Sequence, residues 1–266
     1  MSSRRSNRYP KRLLARLEPS WAALALASLV LGGAALWPAR PTPLPDFAAI
    51  EEIPARKQAF FEFLAPIVRD ENRRVLAQRE RLLELLARVE RGQEPGWLDR
   101  HWLKRLSADY DVAWDPARPL AEAETLKRRV DVVPVALALV QAATESGWGR
   151  SRFAVEGNNL FGHWCYRQGC GLVPARRSGG AAHEVAAFES VRQSVARYLH
   201  NLNTHDAYEP LRRIRASMRA ADRRPEAVAM AEGLERYSER RGAYVDEIKT
   251  VIRVNRPILD RVGAAL

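Results

Sequence analysis

Apolar positions recur along this chain in four different rhythms, and each predicts a different element. Residues 21–37 (WAALALASLVLGGAALW) carry no charge. At helical rise they span about 25 Å, the short limit for a bilayer crossing. Trp21 and Trp37 bracket the run as interfacial anchors would. From Arg56 to Val89 the apolar residues fall at Phe60, Leu64, Ile67, Val75, Leu82, Leu86 and Val89, a one-sided helical stripe. Pro66 is expected to divide or kink that helix. Charged residues around Arg79–Arg81 should fill its solvated face. A third run, Val132 to Ala143, is apolar all round, with Gln141 its one polar residue. It is too short to span a membrane and reads as a helix buried on every side. Between 163 and 190, HWCYR, GLVPARR and HEVAAF read as short strands separated by Gly and Pro turns. Helical spacing resumes with Val191, Val195, Tyr198, Leu199 and Leu202. A helix begun near Asp222 and Pro225 follows, and a last one carries Tyr244, Ile248, Val251 and Asn255. Trp97, Trp102, Tyr110 and Trp114, among short helices and loops at 92–131, are expected in the core.

These elements divide the chain into a basic cytoplasmic segment at 1–20, a transmembrane signal anchor at 21–37 and a Pro-rich linker at 38–53. A helical part at 54–131 and the domain at 132–266, with a β-lobe at 163–190, complete it. Of the 266 residues 47% are apolar, enough for one good-sized domain with appendages. The formal charge is +11, and residues 1–20 supply +5 of it with six Arg/Lys and one acid. Positive flanks stay cytoplasmic, so the remainder should face outward. A signal peptide cleaved after export is the other reading of 21–37, although a convincing A-x-A site is absent. The basic body shows no interleaved RNA-binding aromatics and no zinc-finger spacing, which argues against nucleic acid as a partner. Cys165 and Cys170 are the two cysteines. Their C-x4-C spacing does not suit the usual half of a zinc site, and in an exported protein they should form a disulfide.

The candidate chemistry sits where the third run ends. Pro134 suits a first turn, and Gly147 and Gly149 are natural stops. Glu145 then falls in the last turn of a buried helix. Desolvation and the negative end of the helix dipole both raise its pKa there. An acid kept protonated near neutral pH is what protonating a leaving group requires. Beyond it, SGWG and GNNLFG crowd glycines, asparagines and aromatics into a non-helical segment. Glycine admits close backbone approach, and aromatic faces suit sugar rings.

The segment E-S-G-W-G-x-S-x-x-A-x-x-G-N-N-L-F-G resembles the signature of the bacterial glucosaminidases of glycoside hydrolase family 73, which includes the muramidase-like domain of FlgJ. The resemblance extends, as in the Bax-type members of that family, to KQAFFEFLAPIVRDEN (57–72), CYRQGCGLVPARR (165–177), HEVAAFESV (183–191) and YLHNLNTHDAY (198–208). It covers most of residues 54–260. It implies a mainly α, lysozyme-like α+β fold with a helical lobe, a small β-lobe and a groove between them. It also implies a peptidoglycan hydrolase that cleaves the β-1,4 bond after N-acetylglucosamine, without metal or cofactor.

On that resemblance Glu145 is the general acid. The family's second acid lies in the β-lobe, where VPARRSGGAA holds none, so Glu184 is the candidate, against the alternative of a surface Glu. Strand alternation puts Glu184 on one face with Ala186 and Phe188, and His183 and Val185 on the other. The family's C-terminal tyrosine corresponds to Tyr237 or Tyr244, and either could carry that role. Substrate-assisted hydrolysis, in which the 2-acetamido group attacks, would dispense with a second carboxylate. Trp148, Asn158, Asn159 and Phe161 are the expected substrate-binding residues, with Phe161 equally suited to the core. His163 and His183 receive no catalytic role. The expected partners are peptidoglycan glycan strands and the inner membrane, with the catalytic domain in the periplasm. A lytic transglycosylase or muramidase on the same fold is the alternative activity. A non-catalytic wall-binding scaffold is the alternative of another class.

Overall fold

The computed structural model describes residues 42–174 and 183–263. The basic segment 1–20, the proposed anchor 21–37 and the ARRSGGAA tip at 175–182 lie outside the described residues. No helix among the described residues is long and apolar enough to cross a membrane.

Helix α1 (Ile53–Glu90) is one element of 38 residues, continuous through Pro66. The expected division into two helices does not occur. Pro66 forfeits one backbone hydrogen bond and crowds the preceding turn, a cost of about 3 kcal/mol. Phe60, Phe61, Leu64, Ala65 and Val68 on either side of it are fully buried. Each large apolar side chain there contributes about 1.5–3 kcal/mol. Packing therefore outweighs the proline.

The two ends of α1 serve two cores. Its first half packs on the main core with helix α4 (Val135–Ser146), helix α6 (Val191–Thr204) and helix α9 (Gly242–Val254). Its second half, through Leu82 and Leu85, closes a smaller cluster with helix α2 (Trp97–Asp109) and helix α3 (Ala123–Arg129). Tyr110 is buried in that cluster, and Trp102 and Trp114 pack against it half-buried. Trp97, expected in the core, is 75% exposed. The buried stripe of α2 runs through Leu103, Leu106 and Ser107, and helical spacing turns residue 97 away from it. Arg79 corrects the expectation of a solvated face: it turns inward, donating to the carbonyls of Lys127 (2.6 Å) and Val130 (3.0 Å) at the end of α3.

After helix α5 (Arg152–Gly157) comes a three-stranded antiparallel sheet of β1 (Trp164–Cys165), β2 (Gly171–Leu172) and β3 (Glu184–Ala186), in order β1-β3-β2. Trp164 pairs with Val185 and Cys165 with Glu184. Strands this short are marginal alone. The Cys165–Cys170 disulfide, with Cα atoms 6.2 Å apart, and the Phe188 N–H bond to the Gly157 carbonyl (2.9 Å) hold the lobe in place. Helix α7 (Glu209–Ala220), not anticipated from the sequence pattern, then precedes helix α8 (Ala227–Ala231), and helix α10 (Arg256–Gly263) follows α9. Helices carrying one small antiparallel sheet make this a mainly α, α+β fold, as expected.

Candidate active site

Helix α4 places the acid. Leu137 to Ala143 are buried on all sides, including Gln141. Gly147 ends the helix in the left-handed region (φ 57°), with its N–H bonded to the Ala143 carbonyl. Trp148 follows with φ 61°, a conformation that costs a non-glycine residue about 1–2 kcal/mol. Its ring is held by α1, 5.2 Å from the Phe61 ring and 5.9 Å from that of Phe60. Trp148 thus anchors the turn to the helical lobe. It was expected to bind substrate; its ring is half-buried, with the Lys57 ammonium 5.1 Å from its centre.

Glu145 is half-buried in the last turn of α4. Its Oε1 accepts a hydrogen bond from the Tyr244 hydroxyl of α9 at 2.8 Å. The Gln141 side chain, one helical turn earlier, donates to the same Tyr244 oxygen at 3.0 Å. Tyr198 of α6 in turn donates to Gln141 Oε1 at 2.7 Å. The other oxygen of Glu145 faces Gly162. A Cβ on that glycine would lie 3.7 Å from Glu145 Oε2 and touch nothing else within 4 Å. A side chain at 162 would stand against Oε2, and Gly162 (φ 67°) leaves that position unfilled.

Burial raises the Glu145 pKa. The Tyr244 hydrogen bond and the Arg240 charge pull it back, Glu247 pushes it up, and the net shift is upward. Arg240 and Glu247 pair with each other at 2.6 Å beside the site. Burial, then the Glu145 charge, hold the Tyr244 phenol well above its ordinary value, so it stays a proton donor to the carboxyl. The carboxyl is thus suited to hold a proton and release it toward the unfilled position at Gly162.

Around this pair the aromatic wall is layered. Phe161 is buried and stacks on Tyr198 at 4.0 Å. Tyr237 stacks on Tyr244 at 5.4 Å and donates to the Phe161 carbonyl at 3.0 Å. Of the two candidate tyrosines, Tyr244 touches the acid and Tyr237 holds the wall. The two asparagines expected to bind substrate have amides turned onto backbone. Asn158 donates to Phe188 O at 3.0 Å. Asn159, 2% exposed, donates to the carbonyls of His163 and Ala186 and accepts from the N–H groups of Phe161 and His163. Asn159 thereby ties GNNLFG to β3.

Glu184 is buried in the β-lobe. Its two oxygens accept the N–H groups of Gly169 (3.0 Å) and Gly171 (2.9 Å), which flank Cys170. It shares a face with Cys165, as strand alternation requires. Cys165, Cys170 and Glu184 have potential ligand atoms within 4.8 Å of one another, but both sulfurs are joined in the disulfide. His183 stands on the other face with its ring 3.8 Å from that of Trp164. Burial, then the charge of Arg197, lowers the His163 pKa to about 4.

Gln141, Tyr198 and Gly162 were not among the sequence candidates. Gln141 left a signal: it is the single polar residue of an apolar run and stands four before Glu145, hence on the same helix face. Tyr198 showed only as part of its helix's apolar stripe and of the resembling segment 198–208, since the Phe161 and Gln141 contacts bring it from another helix.

A half-buried, proton-holding carboxyl beside the unfilled position at Gly162, on a helical domain with a small sheet, is the arrangement of a glycoside hydrolase. The family described as Glucosaminidase, mannosyl-glycoprotein endo-beta-N-acetylglucosaminidase, matches residues 120–256. The chain belongs to this family and is a glycoside hydrolase acting on peptidoglycan. It is similar to Protein bax of Escherichia coli (strain K12), with 33% identity over 223 residues, covering 83% of this chain and 77% of that protein. The comparison with solved structures returned no match.

Proposed function

We propose that the chain is an endo-β-N-acetylglucosaminidase that cleaves the β-1,4 bond after N-acetylglucosamine in peptidoglycan strands. The observation that carries this reading is Glu145, raised in pKa by burial, held through Oε1 by Tyr244 and facing Gly162 through Oε2. Glu145 protonates the glycosidic oxygen as the bond from the anomeric carbon breaks. The sugar's 2-acetamido oxygen forms the new bond to that carbon, giving a cyclic intermediate. Water then opens the ring, and the Glu145 carboxylate takes up the water proton. Glu184, with both oxygens accepting the loop N–H groups, braces the β-lobe and leaves the nucleophile's part to the substrate.

Mass spectrometry of muropeptides tests this reading. Wild type should release fragments ending in reducing N-acetylglucosamine, and Glu145→Gln should lower that release by about 100-fold or more. Products with 1,6-anhydro-muramyl ends would assign a lytic transglycosylase instead. Full activity in Glu145→Gln would remove the acid from the mechanism.

We place the enzyme in the periplasm on an inner-membrane signal anchor at 21–37. The uncharged run, its basic flank and the Cys165–Cys170 disulfide support that location. Alkaline phosphatase fused after residue 46 should be active and membrane-retained. An inactive fusion would refute the topology, and an active, released fusion would mean that the signal is cleaved.

A further inference from the structure

We propose that Gln141 and Tyr198 are positioning residues that decide which oxygen of Glu145 carries the catalytic proton. The inference rests on Glu145 acting as the general acid and concerns how its proton is aimed.

Tyr198, Gln141, Tyr244 and Glu145 form one chain of hydrogen bonds. Tyr198 is fully buried, and its phenol has one proton to give. The acceptor in reach among the described residues is Gln141 Oε1, at 2.7 Å. That bond fixes the amide: its oxygen faces Tyr198 and its NH2 faces Tyr244, 3.0 Å away. Because the amide donates to the Tyr244 oxygen, the Tyr244 proton points onward, to Glu145 Oε1 at 2.8 Å. Oε1 is then an acceptor whether or not Glu145 is ionised. When Glu145 is protonated, its proton must sit on Oε2, the oxygen facing Gly162.

The opposite arrangement is penalised. Turning the amide over would aim its NH2 at Tyr198 and strand the Tyr198 proton in the core. A buried unsatisfied donor costs about 1–3 kcal/mol, enough to suppress the flipped state by roughly fivefold or more. In that flipped state Tyr244 would donate to Gln141, and Glu145 would direct its proton to Tyr244 and away from substrate. Gln141 lies on α4, Tyr198 on α6 and Tyr244 on α9, so the direction depends on three helices keeping their places.

Among the described residues, Tyr208, Tyr237, Arg240 and Glu247 are further groups whose charges couple to Glu145. None of them is altered in the test. The full-length enzyme, with purified peptidoglycan as substrate, would be assayed across pH as wild type, Gln141→Met, Tyr198→Phe and Glu145→Gln. Gln141→Met removes the amide with little change of volume, and Tyr198→Phe removes the hydroxyl that holds it.

Both variants should lower kcat about tenfold with KM within about twofold, as expected when a proton is misdirected and binding is kept. The alkaline limb of the pH profile should move upward, because the Tyr244 hydrogen bond that lowers the Glu145 pKa is weakened. A merely structural role would lower Tm and leave that limb in place. If Gln141→Met fails to fold, Tyr198→Phe carries the test. Folded variants with wild-type kcat and an unmoved limb would overturn the proposal, provided that Glu145→Gln is inactive beside them. An active Glu145→Gln would instead overturn the general-acid reading itself.

Discussion

Asp131 stands before helix α4 and Glu145 in its last turn, and the fold treats the two carboxylates in opposite ways. Asp131 is 2% exposed. Burial pushes its pKa up. The Arg219 hydrogen bonds and the charges of Arg215, Arg79 and Arg219 outweigh burial and hold it below the ordinary range. Arg219 grips it with both arms, at 3.0 and 2.8 Å. Glu145, in the last turn, has a phenol where Asp131 has guanidiniums, and there burial wins. One carboxylate is held charged and organises structure. The other is kept ready to hold a proton. What separates a structural from a reactive acid here is the partner it is given rather than the depth at which it lies.

The largest effect should come from removing the charge at Asp131. Arg215 is fully buried and donates to the carbonyls of Arg128, Asp131 and Val132 and to Asn203, while burial lowers its pKa to about 10. Asp131→Asn leaves its guanidinium and that of Arg219 without their counter-charge, and should cost about 3–5 kcal/mol of stability. Urea melts at neutral pH measure it. A loss under about 1 kcal/mol would mean that the carbonyls alone hold the arginines, and the contrast with Glu145 would collapse.

The pH dependence of stability sharpens the same contrast. The lowered Asp131 pKa means that the unfolded chain binds more protons there than the folded one. Its contribution is present above the ordinary carboxylate pKa and is lost as pH falls through the folded value. Glu145 has the opposite sign: its contribution is present below the ordinary value and lost as pH rises through its raised one. The gap between wild type and Asp131→Asn should therefore close in strong acid. Glu145→Gln should match wild type near pH 4 and gain about 1 kcal/mol in stability at alkaline pH. Thermal melts from pH 3 to 9 follow both. A Glu145→Gln variant less stable than wild type at high pH would contradict the assigned burial penalty.

How much of this could be seen in the sequence follows from how far apart the partners lie. The buried helix, its stop at Gly147 and the position of Glu145 are local properties of an apolar run and a glycine, and they were legible. The β-lobe was legible too, from its turn residues, and its disulfide from an even cysteine pair once export was expected. The partner of Glu145 was legible only through the family resemblance, and only as Tyr237 or Tyr244, since Tyr244 is 99 residues away and its contact depends on how α9 crosses α4. Asn158 and Asn159 read as groove residues because asparagine suits both turns and ligands, and the bonds to Phe188 and Ala186 show that both amides brace the fold. Pro66 was read as a break or a kink, and the break does not occur because tertiary packing overrode a local preference. The Asp131 cluster was invisible, since Arg79 and Arg219 enter from helices whose periodicity gave no sign of the charge they enclose.

The smallest effect separates the two tyrosines that sequence alone held equal. Tyr237 and Tyr244 lie parallel, their planes 4° apart, so each could shield the acid. Their hydroxyls differ. That of Tyr244 reaches Glu145, and that of Tyr237 reaches the Phe161 carbonyl. Tyr237→Phe keeps the ring and removes one neutral hydrogen bond, worth about 1 kcal/mol. Stability should fall by that amount, and turnover on peptidoglycan should stay within a few-fold of wild type. Tyr244→Phe removes the donor to the acid, so its loss of turnover should be clearly larger at equal or smaller loss of stability. If folded Tyr237→Phe were as inactive as Tyr244→Phe, the division between the residue that touches the acid and the residue that holds the wall would fail, and with it the assignment of Tyr244 as the partner of Glu145.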